Sequence, residues 1–230
     1  MSEPPPDHIV RFLGSGNAGE VFEAVIDGSK CALKLVSVPP PSPHDRWTAT
    51  HSSPQFTSEA KFNAELAAYQ TMAPIDGLRG RVCSLHSTCT NVHQLLRGAD
   101  PALYQHKTYD YHRRGLCLTL LDGATLDDDD GSGSGSGAVA TLSQQEKHDV
   151  GAQLAETVRL LHEAGVTHGS VHPRNVMLVR SGGGRLAAVL IDFNRARLRV
   201  GRSAESFEGH KAHDLSEVLW LRNNQLAWTI

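Results

Sequence analysis

Two short polar segments in the second half of the chain constrain its fold more than any other feature. The first is residues 167–175, Thr-His-Gly-Ser-Val-His-Pro-Arg-Asn, and the second is residues 190–194, Leu-Ile-Asp-Phe-Asn. Each lies beside a short apolar run, and a glycine-rich turn at residues 181–185 separates the runs. This order predicts a loop, a β-hairpin and a second loop, with Asn175 and Asp192 side by side. Amide and carboxylate oxygens are hard ligands, so we expect these two residues to bind Mg²⁺.

A glycine-rich segment and a lone lysine lie far upstream. Residues 14–21, Gly-Ser-Gly-Asn-Ala-Gly-Glu-Val, join two predicted strands, and Lys34 lies inside the next apolar strand. Gly14, Gly16 and Gly19 would let the backbone approach a phosphate, because a side chain there would block it. The dinucleotide-binding version of this motif opens a helix, so its place between strands excludes that interpretation. A buried ammonium is costly unless it is paired, so Lys34 requires a carboxylate partner.

Taken in order, these features resemble the signature set of the protein kinase superfamily: glycine loop, strand lysine, catalytic loop (residues 167–175) and Asp-Phe pair (residues 192–193). The resemblance spans about residues 12–220. It implies a two-lobed α+β fold. Residues 1–121 would form an N-terminal lobe with a five-stranded antiparallel sheet and one helix, and residues 122–230 a shortened, mainly helical C-terminal lobe.

The resemblance also implies ATP and Mg²⁺ as cofactors. Val21 is expected over the adenine ring, and the backbone around Leu121 to Gly123 is expected to form hydrogen bonds to it. The three glycines of the strand turn would lie at the phosphates together with the lysine. Asn175 and Asp192 would hold the metal ion.

In this family the partner of the strand lysine comes from the following helix, predicted here over residues 53–72. Glu59 and Glu65 compete for Lys34, and both flank the apolar stripe of that helix at similar angles. Three residues mark that stripe: Phe62, Leu66 and Tyr69. Glu65 matches the family pattern better, and Glu59 remains an alternative.

One position departs from the family in a way that affects function. Ser170 occupies the place of the catalytic aspartate, and a serine hydroxyl is no base near neutral pH. General-base contributions are about 10²- to 10⁴-fold, whereas positioning and charge stabilisation supply most of the remaining catalysis. Turnover should therefore be crippled while ATP binding is spared. His172 could substitute as a base or phosphate contact, although a solvent-facing loop histidine fits it better.

Other departures leave the function open among three hypotheses. Gly169 replaces an arginine that pairs with a phosphorylated activation loop, and Asn194 replaces a glycine. The chain could be an impaired kinase of Ser/Thr-type ancestry, or a pseudokinase that binds nucleotide and a protein partner. The loop from His168 to Pro173 also resembles aminoglycoside phosphotransferases, so an aminoglycoside- or choline-like acceptor is the third hypothesis. Asp214 is either an anchor for the catalytic-loop backbone or a helix cap.

Charge and composition indicate which classes of binding partner to expect. The formal net charge is −3, which gives no reason to expect nucleic acid. Basic residues gather in residues 174–202, but acidic residues follow, so we expect a solvated surface there. No apolar run is long enough for a membrane span, and the first residues lack signal-peptide features. We therefore expect a cytoplasmic protein that binds nucleotide and a protein partner, without a membrane.

The remaining pattern predicts helices and linkers. Apolar residues recur at helical spacing over residues 143–163, and a final helix is predicted over about residues 213–226. A proline-rich loop is predicted at residues 39–43. The Gly-Ser alternation of residues 131–137 is typical of a designed flexible linker.

Overall fold

The computed structural model describes residues 6–16, 19–36, 58–90, 92–97, 114–127 and 138–226. The proline-rich loop, the predicted helix start at residues 53–57 and the Gly-Ser segment lie outside these residues. The chain forms two compact units. The first contains Met1–Leu66 and Leu85–Leu120, and the second contains Ala67–Ser84 and Leu121–Ile230.

The first unit is built on a five-stranded antiparallel sheet with the order β1-β2-β3-β5-β4. Its strands are β1 (His8–Gly16), β2 (Gly19–Ile26), β3 (Ser29–Val36), β4 (Leu85–Cys89) and β5 (Arg114–Leu118). Asp27 and Gly28 both have positive φ, at 50° and 74°. This is the conformation that a tight hairpin between twisted strands requires, and the Asp-Gly pair supplies it.

One face of this sheet carries the core of the first unit. Phe22, Leu33 and Leu35 are at most 1% exposed, as expected for alternate residues on the buried face of a strand. Helix α2 (Val92–Arg97) covers this core with Val92 and Leu95. The sequence analysis predicted a single helix in this lobe and missed α2, because six residues are too few to show helical periodicity.

Helix α1 (Ser58–Met72) crosses the boundary between the units, which falls after Leu66. Its buried stripe contains Phe62, Glu65, Tyr69 and Met72. Leu66, predicted on that stripe, is only half-buried. The buried stripe of α1 therefore includes the carboxylate of Glu65. A pattern of apolar residues in the sequence does not reveal a buried charged residue.

The second unit contains two long helices and two small sheets. Helix α3 (Gln144–Glu163) begins where predicted, because Ser143 caps it in a capping box with Glu146. Its buried face includes four residues with 0% exposure: Val150, Leu154, Val158 and Leu161. The strands are β6 (Gly123–Thr125), β7 (Val166–Thr167), β8 (Val176–Arg180), β9 (Leu186–Leu190) and β10 (Arg197–Leu198). They form a three-stranded sheet, β6-β8-β9, and a two-stranded sheet, β10-β7.

The final helix differs from the prediction. Helix α4 spans Ala204–Trp220 and is followed by a π-helical turn at Leu221–Gln225. It begins nine residues before the predicted start at His213, because the Ser203 side chain accepts a hydrogen bond from the Ser206 amide and caps the helix. Within the described ranges, none of the helices has the length and apolarity to cross a membrane. The predicted α+β fold with a five-stranded antiparallel sheet is confirmed.

Candidate active site

In the first unit, Lys34 lies on β3 and is almost completely buried together with Glu65 of α1. The Nζ atom of Lys34 lies 2.9 Å from Oε1 and 2.7 Å from Oε2 of Glu65. The Glu65 side chain is 0% exposed and that of Lys34 8%. Of the two competing glutamates, Glu65 therefore lies on the ammonium, whereas Glu59 is exposed. Such a pair is a weak source of stability, because both ions lose their hydration.

The residues predicted to surround the nucleotide form a row across the first three strands. Gly14 pairs with Val21, and Val21 pairs with Lys34. Paired residues of adjacent strands share a face of the sheet, so the register places these three residues on one face. Lys34 is also paired with Leu116 of β5, which the sequence analysis did not single out. The pairing of β3 with β5 places Leu116 in the same row. Leu116 is distant from Lys34 in sequence, so no local motif indicates this position.

The glycines of the strand turn differ in whether backbone conformation or packing requires a glycine at their positions. Gly16 pairs with Gly19 across the turn, whose Asn17 and Ala18 lie outside the described residues. Gly19 has a φ of 147°, which favours glycine. A Cβ atom at Gly14 would meet nothing within 4 Å. In the described part of the chain, packing therefore gives no reason for Gly14, and phosphate approach remains its predicted role.

Leu121 and Gly123 lie at the start of the longer segment of the second unit, Leu121–Ile230. Leu121 is half-buried and outside regular structure. Gly123 opens β6, and a Cβ atom there would lie 2.2 Å from the carbonyl oxygen of Leu178. Gly123 therefore has a packing reason of its own, the close approach of β6 to β8. Their predicted backbone contacts with adenine stay a prediction.

The catalytic loop follows β7, and helix α4 anchors its backbone. Asp214 accepts hydrogen bonds from the amides of His168 and Gly169, both at 2.8 Å. One helical turn later, Glu217 accepts from the Val171 amide at 2.6 Å. Asp214 is completely buried in the middle of α4, so it anchors the loop and does not cap the helix. The second anchor, Glu217, was missed, because its partner lies 46 residues away.

The electrostatics of this anchor follow from its burial. Burial raises the pKa of Asp214, but hydrogen bonds from His162 and from the two loop amides outweigh it and leave the pKa below its usual value. Burial lowers the pKa of His168, which is fully buried and therefore neutral. Its Nε2 lies 3.0 Å from the Ile191 carbonyl, and its Nδ1 accepts from the Ser170 amide at 3.3 Å. These partners require the tautomer with hydrogen on Nε2.

Gly169 is fixed by geometry. Its φ is +75°, and a Cβ atom would lie 2.5 Å from the carbonyl oxygen of Arg195. An arginine, which the family has at this place, would meet the same backbone. The conformation and packing of the loop therefore favour glycine at position 169.

Ser170 and Asn175 contact each other. The Nδ2 atom of Asn175 donates to the Ser170 carbonyl oxygen at 2.9 Å and lies 3.4 Å from Ser170 Oγ. Because the nitrogen is used in this way, Oδ1 is the atom of the amide suited to a cation. His172 is exposed, and its ring accepts from the Arg174 amide at 3.5 Å to cap a short 3-10 turn.

The β8–β9 hairpin brings Asn175 and Asp192 to one end of a sheet. Val176 pairs with Leu190, and the Ile191 amide donates to the Asn175 carbonyl oxygen at 2.9 Å. Asp192 has a φ of 63°, a left-handed conformation that is uncommon outside glycine and concentrates at functional sites. Asn194, which takes the place of a glycine in the resemblance, is not among the described residues with positive φ.

Phe193 packs the loop that follows β9 against the catalytic loop. Its ring is completely buried and lies 4.5 Å from the His168 ring and 5.3 Å from the Tyr69 ring, between centroids. The stack joins the catalytic loop, the Asp-Phe pair and the end of α1 within the second unit. Within the described ranges no group of three or more His, Cys, Asp or Glu residues could hold a metal. Mg²⁺ commonly binds to one or two protein ligands and completes its shell with phosphates and water, so Asn175 and Asp192 suffice for such a site.

A comparison with protein families agrees with this geometry. Residues 135–225 match the sequence model of the lipopolysaccharide kinase (Kdo/WaaP) family, a member of the protein-kinase-like superfamily. Over this range the resemblance to the protein kinase superfamily is confirmed. The matched range includes the catalytic loop, Asp192 and both anchors on α4, whereas Lys34 and Glu65 lie outside it. The match suggests kinase-like phosphoryl transfer. No curated protein matches the chain.

Proposed function

We propose that this chain binds ATP with Mg²⁺ and that Ser170 limits its transfer of a phosphoryl group to a hydroxyl acceptor. The observation that carries the proposal is the anchored catalytic loop. Amides on both sides of position 170 are bound by carboxylates of α4, at 2.8 Å for Gly169 and 2.6 Å for Val171. These contacts support the proposal, because they hold the backbone on both sides of Ser170, the position at which the resemblance implies a catalytic residue.

The residues present fit the nucleotide and its metal ion. Lys34 would hold phosphate oxygens, since the contacts with Glu65 fix the position of its Nζ atom. Asn175 and Asp192 would hold Mg²⁺, which when bound neutralises charge on the transferred phosphoryl group. Retention of a costly buried ion pair supports a functional role for Lys34, because an apolar pair of similar volume would be as stable or more so.

Ser170 affects turnover more than binding. A serine hydroxyl cannot take the acceptor proton at neutral pH, and the missing base is worth about 10²- to 10⁴-fold. Here the Ser170 carbonyl and hydroxyl oxygens both lie near the Asn175 amide. The hydroxyl can accept a hydrogen bond and hold the loop, but it has no charge to orient an acceptor hydroxyl.

The family match favours a saccharide hydroxyl over a protein hydroxyl as the acceptor, because the matched family is described as a lipopolysaccharide kinase family. A protein acceptor of Ser/Thr type is the second candidate, and a pseudokinase with a protein partner is the third.

The test is the rate of phosphoryl transfer from γ-labelled ATP in wild type, Ser170→Asp and Ser170→Asn. Ser170→Asn matches the size of the aspartate without its charge. The proposal expects MgATP binding in all three proteins and a gain of about 10²- to 10⁴-fold in Ser170→Asp alone. Saccharides, a protein mixture and the chain itself serve as acceptors. Equal rates in Ser170→Asp and Ser170→Asn would overturn the role given to Ser170 and favour the pseudokinase.

A further inference from the structure

The segment that follows Asp192 and Phe193 is rich in positive charge. Residues 195–202, here called the arginine segment, contain four arginines and no acidic residue: Arg195, Arg197, Arg199 and Arg202. Two arginines shortly before this segment are paired. Arg174 lies 3.1 Å from Asp127, and Arg180 lies 2.7 Å from Glu146. Among the residues that the structure describes, the segment's arginines form no such ion pair.

The backbone of the arginine segment is held firmly beside the catalytic loop. Strand β10 pairs with β7, and the Arg199 amide donates to the Gly165 carbonyl oxygen at 2.8 Å. The Ala196 amide donates to the Phe193 carbonyl oxygen at 3.0 Å. The Arg195 carbonyl oxygen closes against Gly169 of the catalytic loop. The backbone that carries these charges is therefore held beside the loop that contains Ser170.

The positive groups also act on one another. Arg197 is half-buried, and its Nη1 donates to the carbonyl oxygens of Arg195 and Ala196, at 3.0 and 3.1 Å. Burial lowers the pKa of Arg197, and the charges of Arg202 and Arg195 lower it further. Burial likewise lowers the pKa of His210, with added contributions from Arg202 and Arg197. An anion placed here would relieve this repulsion.

We propose that the arginine segment is a binding site for a phosphate monoester group on the acceptor. The planar guanidinium matches phosphate with two parallel hydrogen bonds. Helix α4 begins directly after Arg202 at the Ser203 cap, and its amino end adds a positive dipole. The acceptor's phosphate would then lie next to the loop that holds Ser170. Its role in acceptor placement rests on the proposed function, but the binding can be measured without turnover.

The experiment is calorimetric titration with phosphoserine and with inorganic phosphate at low ionic strength. The test variant is Arg195→Gln/Arg202→Gln, since both side chains are exposed and the backbone contacts remain. The control is Arg79→Gln/Arg185→Gln, which removes the same charge from exposed positions of the second unit. We expect about tenfold or greater weakening in the test variant, and little change in the control.

Three further measurements decide the interpretation. Arg195→Lys/Arg202→Lys keeps the charge but loses the planar fork, so it should bind with intermediate affinity. Lys34→Met should keep phosphoserine binding while it loses MgATP, so failure of the nucleotide site and failure of this site are distinguishable. A third result concerns lipid vesicles. If wild type binds phosphatidic acid vesicles but neither phosphatidylcholine vesicles nor phosphoserine, the phosphate chemistry is supported and the source of the phosphate is a lipid. Equal weakening in test and control variants, or no binding of any phosphate probe by wild type, would overturn the proposal.

Discussion

Replacement of Gly169 by alanine should destabilise the protein through two separable effects. The first is backbone strain, because the φ of +75° is unfavourable for a residue with a Cβ atom by about 1–2 kcal/mol. The second is steric, because the new atom would lie 2.5 Å from a backbone carbonyl oxygen of Arg195. Overpacking of this kind costs about 1–3 kcal/mol more. The two effects together amount to about 2–5 kcal/mol. Any shift of the loop also stretches the hydrogen bond that the Gly169 amide donates to Asp214.

The chain offers a matched control for this prediction. Gly184 has nearly the same φ, +79°, and a Cβ atom there would meet nothing within 4 Å. Gly184→Ala should therefore show the strain alone, about 1–2 kcal/mol. Urea unfolding of both variants, followed by a probe in the second unit, gives the difference between them. If Gly169→Ala costs no more than Gly184→Ala, the close approach of the catalytic loop to Arg195 is wrong.

Two further variants test the buried charges. Glu65→Leu should destabilise the first unit by about 3–5 kcal/mol in urea unfolding, because it leaves the Lys34 ammonium buried and unpaired. The double variant Lys34→Met/Glu65→Leu should recover most of that loss. A double variant as unstable as the single one would contradict this prediction. The pKa of His168 in the folded protein lies below its value in the unfolded chain, which is near 6.5. The contribution of the neutral imidazole to stability is therefore present above pH 6.5. It is lost as the pH falls from 6.5 towards the pKa of the folded state. Melting temperatures between pH 7.5 and 5 should therefore fall less steeply in His168→Asn than in wild type, and identical slopes would count against a buried neutral imidazole.

Local chemistry made much of the site predictable from sequence. Lys34 is a lone charge in an apolar strand, and such a residue needs a partner whatever the fold. The hairpin between Asn175 and Asp192 follows from two apolar runs and a glycine-rich turn. Ser143 with Glu146 three residues later signals the start of α3.

What the sequence did not reveal depends on contacts between distant residues. The choice between Glu59 and Glu65 depends on how α1 packs, since both flank the apolar stripe. Glu217 is one of several polar residues on α4, and only the loop that folds against it makes it an anchor. The requirement for Gly169 likewise comes from Arg195, which a separate strand pairing brings to it. No local periodicity encodes such contacts.

The two central proposals are that Lys34 binds the nucleotide and that Asp192 binds its metal ion. Calorimetric titration of ATP with and without Mg²⁺, on wild type, Lys34→Met and Asp192→Asn, tests them most directly. The account predicts Mg²⁺-dependent binding to wild type, loss of binding in Lys34→Met, and loss of the Mg²⁺ dependence in Asp192→Asn. Wild type that fails to bind ATP at millimolar concentration, or variants that bind it as wild type does, would contradict the account.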